Sequence, residues 1–120
     1  VRSIMKKVNT NKYTKVTLSL ERINDIIRAF VSNGHRFLVL YDSDPDKRDY
    51  VQTTLEDDTL QDRSPYLIEA RVYHTKDTFT HYRKIYAKVV DVLPFFEAFY
   101  QNTPLSYENW EDVTKEFLEN

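Results

Sequence analysis

The sequence predicts a single α+β domain, with a mainly antiparallel sheet of four to five strands and about three helices packed on one face. Three observations support this. The 120 residues have the usual length of one domain. Some segments alternate apolar with polar residues, as strands do, whereas others repeat apolar residues at helical spacing. Consecutive strand segments are joined by short polar loops, which favour antiparallel pairing. The expected order is β-α-β-β-β-β-α-α.

The beginning of the chain is polar and basic. Residues 1–12 lack hydrophobic periodicity, so they are expected to form an N-terminal tail, followed by a single domain over residues 13–120. Val16, Leu18 and Leu20 then alternate with polar residues, which predicts a short half-buried strand.

A helix is predicted after this strand. Ser19 is a suitable N-cap, and Asn33-Gly34 is a suitable end because a glycine easily adopts the left-handed conformation that follows many helices. The apolar face of this helix comprises Ile23, Ile26, Ile27, Phe30 and Val31.

Four strands are expected next. They are Phe37–Tyr41, Tyr50–Leu55, Tyr66–Tyr73 and Phe79–Ala87. The first is continuously apolar, which is typical of a strand that is buried on both faces near the middle of a sheet.

Two helices are expected at the end of the chain. Asp91 is a fair N-cap for the first, and Pro94 falls in its first turn, where a missing N–H costs little. The segment Asn102-Thr103-Pro104 ends it, and Ser106 can cap a final helix. The apolar stripe of that final helix comprises Trp110, Val113, Thr114, Phe117 and Leu118.

Composition excludes several classes of function. Cysteine is absent, so disulfides and thiolate metal sites are excluded, and a reducing cytoplasm is the expected location of a soluble protein. The net charge of −2 gives no general attraction to nucleic acid or to anionic membranes. The first residues are not followed by the apolar segment of a secretory signal, and no apolar run is long enough to cross a bilayer. Neither nucleic acid nor a membrane is therefore expected as a partner.

No cofactor or metal is predicted. Asp42-Ser43-Asp44-Pro45-Asp46 has the alternating aspartates of a calcium loop, but Lys47 stands in place of the required glycine and Thr53 in place of the bidentate glutamate. An acidic hairpin loop is the better interpretation, and Asp57, Asp58 and Asp62 form a second one. The single glycine, Gly34, excludes glycine-rich phosphate-binding loops.

The candidate site lies on the last two predicted strands. An arginine is improbable in a core, so Tyr82 and Tyr86 are expected to point inward over Ala70. This register places a polar set together on the opposite face of the sheet: Gln52, Glu69, Arg71, His81 and Arg83. Such a set could form an acid–base site with an anion clamp. A solvated outer face with cross-strand ion pairs explains the same residues without chemistry, and a protein-binding surface is a third interpretation.

One family resemblance bears on function. The segments Phe37-Leu38-Val39-Leu40, Tyr50-Val51-Gln52-Thr53 and Tyr66-Leu67-Ile68-Glu69-Ala70-Arg71, together with His81-Tyr82-Arg83 and Trp110, resemble small bacterial proteins of unassigned function. Some of those are immunity proteins, so the resemblance implies a protein that neutralises a cognate toxin.

The sequence thus favours a non-enzymatic protein-binding domain. The nine tyrosines agree with this, because tyrosine is enriched at the most important positions of protein interfaces. Two alternatives stay open: a small enzyme that uses the polar sheet face, and a structural homodimer.

Overall fold

The architecture comes from a computed structural model that describes residues 6–56 and 64–118. It has one antiparallel sheet of six strands in sequential order. The strands are β1 (Lys6–Thr10), β2 (Phe37–Asp42), β3 (Tyr50–Leu55), β4 (Tyr66–Tyr73), β5 (Phe79–Tyr86) and β6 (Glu111–Asp112). The α-helices are α1 (Leu20–Arg28), α2 (Phe30–Asn33) and α3 (Leu93–Tyr100), and 3₁₀ turns cover Val89–Asp91 and Thr114–Phe117.

The predicted α+β class is therefore confirmed, but the predicted strand number and order are wrong. The sheet has six strands rather than four to five, since β1 and β6 come from segments that were expected to be a tail and a helix. The observed order is β1-α1-α2-β2-β3-β4-β5-α3-β6. The loop at residues 57–63, which contains the second acidic cluster, lies outside the described residues.

The core lies between one face of the sheet and the helices. Leu38, Leu40, Val51 and Ile68 alternate along their strands and are completely buried on this face. The hydroxyl group of Tyr66, on the same face, donates a 2.8 Å hydrogen bond to the carbonyl oxygen of Ile27 in α1. We call this side the helix face, and the opposite side the helix-free face.

The first predicted helix is confirmed, with a break near its end. Ser19 caps α1, because its hydroxyl oxygen accepts a hydrogen bond of 3.1 Å from the backbone N–H of Arg22. The backbone leaves the helical conformation at Ala29 and resumes as the single turn α2. Gly34 ends it with φ of +71°, as predicted from glycine's freedom in the left-handed region.

The N-terminal predictions are corrected. Residues 6–10 are not a tail but the edge strand β1, in which Val8 is completely buried and pairs with Leu40 of β2. The strand expected around Val16 is reduced to one bridge, in which Val16 and Val8 exchange backbone hydrogen bonds of 2.8 and 3.1 Å. The polar sequence of β1 has no strand pattern of its own, because its strand conformation depends on backbone partners in β2 and around Val16.

The strands β3 and β4 have the predicted bounds, and β5 ends one residue earlier than predicted. The prediction for β2 is wrong in one respect. Phe37, Val39 and Tyr41 are only half-buried, because the helices cover a single face of the sheet. A continuous apolar run therefore marks here a strand with one buried and one partly open face.

The C-terminal predictions hold for α3 and fail for the last helix. Pro94 lies in the first turn of α3 as expected, although Val92 rather than Asp91 precedes the helix as its cap residue. After α3 the chain pairs with β5 as the two-residue β6 and ends in a 3₁₀ turn. Trp110 is half-buried, with its ring 4.9 Å from that of Phe95, so it packs on the core without belonging to a helix.

Both edges of the sheet are protected. Outside β1, the backbone N–H groups of Val8 and Thr10 already donate to the carbonyl oxygens of Val16 and Tyr13. At the other edge, β6 offers only two residues, Glu111 and Asp112, and both are acidic and exposed. Short, charged or covered edges discourage the addition of a foreign strand. The helix-free face is thus the broader surface available for contact.

Candidate binding face of the sheet

The strand register brings the sequence-predicted site residues together. Glu69 of β4 lies between Gln52 of β3 and Arg83 of β5, and Arg71 lies opposite His81. Ala70 pairs with Tyr82, whose ring stacks on Tyr107 on the helix face. The predicted register is therefore confirmed, and all five polar residues share the helix-free face.

Glu69 is the centre of a hydrogen-bonded network. One carboxylate oxygen, Oε1, accepts from Nε2 of His81 at 2.8 Å and from Nε2 of Gln52 at 3.2 Å. The other oxygen accepts from Nε of Arg83 at 2.8 Å. Burial by itself raises the pKa of Glu69, but the hydrogen bonds from His81 and Arg83 and the positive charge of Arg83 outweigh it and lower this pKa to about 2.

The network extends to the end of the chain. The two terminal nitrogens of Arg83 donate to both carboxylate oxygens of Glu116, at 3.1 and 3.0 Å. The backbone N–H of Val113 donates to the carbonyl oxygen of His81 at 2.8 Å, and the N–H of His81 donates to the hydroxyl oxygen of Thr114 at 2.9 Å. The final segment is therefore anchored over this part of the face.

His81 is completely enclosed as a result. Its ring has no solvent exposure, and its centroid lies 4.1 Å from that of Phe117. Arg71 donates from Nε to Nδ1 of His81 at 3.0 Å, which leaves the ring proton on Nε2, where it is donated to Glu69. The expected solvated outer face is thus wrong at this position, since Glu69 is also only 8% exposed.

Arg71 has the most distinctive surroundings on the face. Its guanidinium carbon lies 4.0 Å from the ring centre of Phe79, 4.8 Å from that of Phe117 and 5.6 Å from that of Tyr50. We call these four residues the Arg71 cage. Within the described parts of the chain, its terminal nitrogens make no hydrogen bond. A guanidinium that is oriented by aromatic rings and has free terminal donors suits a carboxylate, which it can bind through two parallel hydrogen bonds.

Sequence reasoning missed three aromatic members of this site and Glu116. Tyr50 could have been found, because it lies directly opposite Arg71 in the register that the alternation predicts. Phe79 lies two residues before His81 on β5, hence on the same face, and could have been placed on the same grounds. The sequence spacing places Phe117 in a helix stripe, so its contact with the sheet cannot be foreseen from the pattern.

The helix-free face also carries exposed apolar side chains. Ile85 and Phe117 are 47% and 40% exposed, which puts them among the four most exposed large apolar residues of the described chain. Several further side chains of this face are half-buried: Phe37, Val39, Tyr41, Leu67 and Tyr73. The combination of an oriented arginine, aromatic rings and exposed aliphatic groups is typical of protein-binding surfaces.

The acidic loop after β2 is held by its own backbone. Oδ1 of Asp42 accepts from the N–H of Asp44 at 3.1 Å, and Oδ1 of Asp44 accepts from the N–H of Asp46 at 2.9 Å. The other carboxylate oxygen of Asp42 binds the ammonium group of Lys6 at 3.2 Å. In the two described ranges, no group of three or more histidine, aspartate or glutamate side chains is arranged to hold a metal ion.

Comparisons with protein-family models, with curated proteins and with solved structures found no match to this chain. None of the helices formed by the described residues has the length and apolar character needed to cross a membrane.

Proposed function

We propose that this chain is a non-enzymatic protein-binding domain that uses the helix-free face of its sheet to bind a partner carrying an acidic side chain. The observation that carries the proposal is the Arg71 cage, in which an arginine with free terminal donors is held among three aromatic rings. Arginine and tyrosine are among the residues that contribute most to binding energy at interfaces.

The burial of the polar network favours binding over catalysis. An acid–base reaction requires His81 or Glu69 to reach a substrate proton. Both side chains are buried, and each nitrogen of His81 is already engaged by Arg71 or Glu69. Two clefts, of about 770 and 260 Å³, are lined by other residues. The site is thus better suited to present Arg71 than to transfer protons.

The charge of the face indicates the chemistry of the partner. Arg83 is already neutralised by Glu69 and Glu116, whereas Arg71 forms no ion pair with any residue that the structure describes and donates one hydrogen bond, to Nδ1 of His81. A carboxylate from the partner would complete its coordination, while Phe117 would contact apolar groups beside that carboxylate and Ile85 would contact the partner further along β5. A toxin of acidic surface, bound in the bacterial cytoplasm, is the specific version that the sequence resemblance suggests.

The test is a selection that depends on Arg71. Protein fragments that bind the natural chain are selected from a displayed library. The affinity of each selected fragment is then measured for the natural chain, for Arg71→Gln and Ile85→Asp, and for Arg28→Gln as the matched control. Arg28 is an exposed arginine of α1, on the other side of the sheet. We expect binders enriched in Asp and Glu, with affinity at least about tenfold weaker for both face variants and unchanged for the control.

Two results would contradict this proposal. One is a set of binders that recognise the natural chain, Arg71→Gln and Ile85→Asp equally well. The other is a concentration-dependent dimer in analytical ultracentrifugation that Ile85→Asp abolishes, which would assign the face to a second copy of the chain. Urea unfolding of each variant separates a loss of binding from a loss of folding.

A further inference from the structure

A second surface feature lies next to the Arg71 cage and shares no residue with it. A cleft of about 770 Å³ lies at one end of the sheet, where the β2–β3 loop and the β4–β5 loop meet the chain that follows α3. This volume lies within the range of roughly 300 to 1,000 Å³ found for small-molecule sites. The cleft is lined by residues from four separate segments of the chain, so its shape depends on the complete fold.

The floor of the cleft contains an internally neutralised charge. The side chain of Lys6 is only 4% exposed, and its ammonium group donates to Asp42 at 3.2 Å and to the side-chain oxygen of Asn102 at 2.6 Å. The same ammonium lies 4.9 Å from the ring centre of Phe99 in α3. Because Asp42 balances Lys6, this pair adds no net charge to the cleft, but it joins β1 and β2 to the end of α3.

The rim of the cleft carries unbalanced positive charge. Arg48 is oriented by the ring of Tyr73, 4.6 Å from its guanidinium carbon, and by a 3.0 Å hydrogen bond to the carbonyl oxygen of Lys76. The ammonium groups of Lys47 and Lys76 make no hydrogen bond or ion pair within residues 6–56 and 64–118. Including the floor pair, four Lys and Arg residues line the cleft against three aspartates, whereas the whole chain has 17 Lys and Arg against 19 Asp and Glu.

We propose that this cleft binds a small organic anion, with a carboxylate or phosphate group at Arg48 and Lys76 and an apolar body toward Phe99 and Leu105. The oriented guanidinium and the free ammonium supply the charge-assisted hydrogen bonds that either anion prefers. The side chains of Phe99, Pro104 and Leu105 supply apolar lining beside them. This site shares no residue with the Arg71 cage, although the ring of Tyr73, which orients Arg48, lies 5.4 Å from the ring of Phe79 in that cage.

The test uses defined probes. The ¹⁵N-labelled chain is titrated with phenyl phosphate and with benzoate, and in parallel with phenol and with inorganic phosphate, while backbone amide shifts are followed by NMR. We expect saturable shifts at residues 46–49 and 73–76 with both organic anions, with dissociation constants on the order of 1 mM for probes of this size. The stronger of the two probes identifies the anionic group that the site prefers.

Charge substitutions then assign the site. Arg48→Gln and Lys76→Gln are exposed changes that leave the buried floor pair intact, and both are expected to weaken the binding of either organic anion at least about fivefold. Lys115→Gln, an exposed lysine outside the cleft, is the matched control and should bind like the natural chain. The proposal is overturned if neither organic anion gives saturable shifts, or if phenol or inorganic phosphate binds as tightly as the two organic anions. It is also overturned if Arg48→Gln and Lys76→Gln bind the organic anions as tightly as the natural chain does.

Discussion

Replacing Glu69 by glutamine tests the network beneath the Arg71 cage, because it removes the charge while keeping the shape of the side chain. The pKa of Glu69 is about 2 in the folded chain, against an ordinary value of 4.5. At about 1.4 kcal/mol for each pH unit, this difference corresponds to roughly 3 kcal/mol of stability at pH 7. Glutamine would also direct an N–H group at either Arg83 or the pair His81 and Gln52, so a donor loses its acceptor.

The sign of the pH dependence follows from the lowered pKa. As the pH falls below 4.5, the unfolded chain takes up a proton at Glu69 before the folded chain does, so this part of the stability is lost progressively between pH 4.5 and about 2. Glu69→Gln has no such proton to take up. We therefore expect Glu69→Gln to be about 3 kcal/mol less stable than the natural chain at pH 7, with the gap narrowing toward pH 3.

Urea unfolding followed by the fluorescence of Trp110, the only tryptophan, measures this gap at pH 7, 4.5 and 3. Glu111→Gln is the matched control, since Glu111 is an exposed carboxylate on the adjacent β6 and should alter stability by less than about 0.5 kcal/mol. A gap below about 1 kcal/mol at pH 7, or one that stays constant as the pH falls, would refute this account of the network.

Three further changes test the fold. Burial, aided by the charges of Lys12 and Arg22, lowers the pKa of His35 below 6.5, so the free energy of unfolding should fall as the pH drops below 6.5. In urea titrations His35→Phe should remove that part of the fall, and a pH profile identical to that of the natural chain would contradict this. Gly34→Ala should lower the free energy of unfolding by about 1 kcal/mol, because φ is +71° and the added carbon would approach only the flexible end of Lys12. A thermal melt identical to that of the natural chain would contradict this. Trp110→Ala should cost less than about 3 kcal/mol, below the cost for a fully buried ring, because this tryptophan is half-buried; a larger loss in urea would show that it is a core residue.

Local pattern was sufficient for much of this fold. The periodicity of Ile23, Ile26 and Ile27 and the Ser19 cap determined α1 and its start, and Gly34 determined where the helical segment ends after α2. Alternation determined the bounds of β3 and β4 and placed Glu69 and Arg83 on one face, because the side-chain period of a strand leaves only two registers and one of them buries an arginine.

Tertiary contacts decided the rest. The polar segment Lys6–Thr10 became β1 because the edge of β2 offered partners for its backbone, and Glu111–Asp112 left its expected helix for the edge of β5. The burial of His81 and the aromatic cage around Arg71 depend on Phe117, which lies 36 positions later in the chain than His81. Periodicity reports which face of its own element a residue occupies, but contacts between distant segments depend on backbone pairing and packing that no local pattern contains.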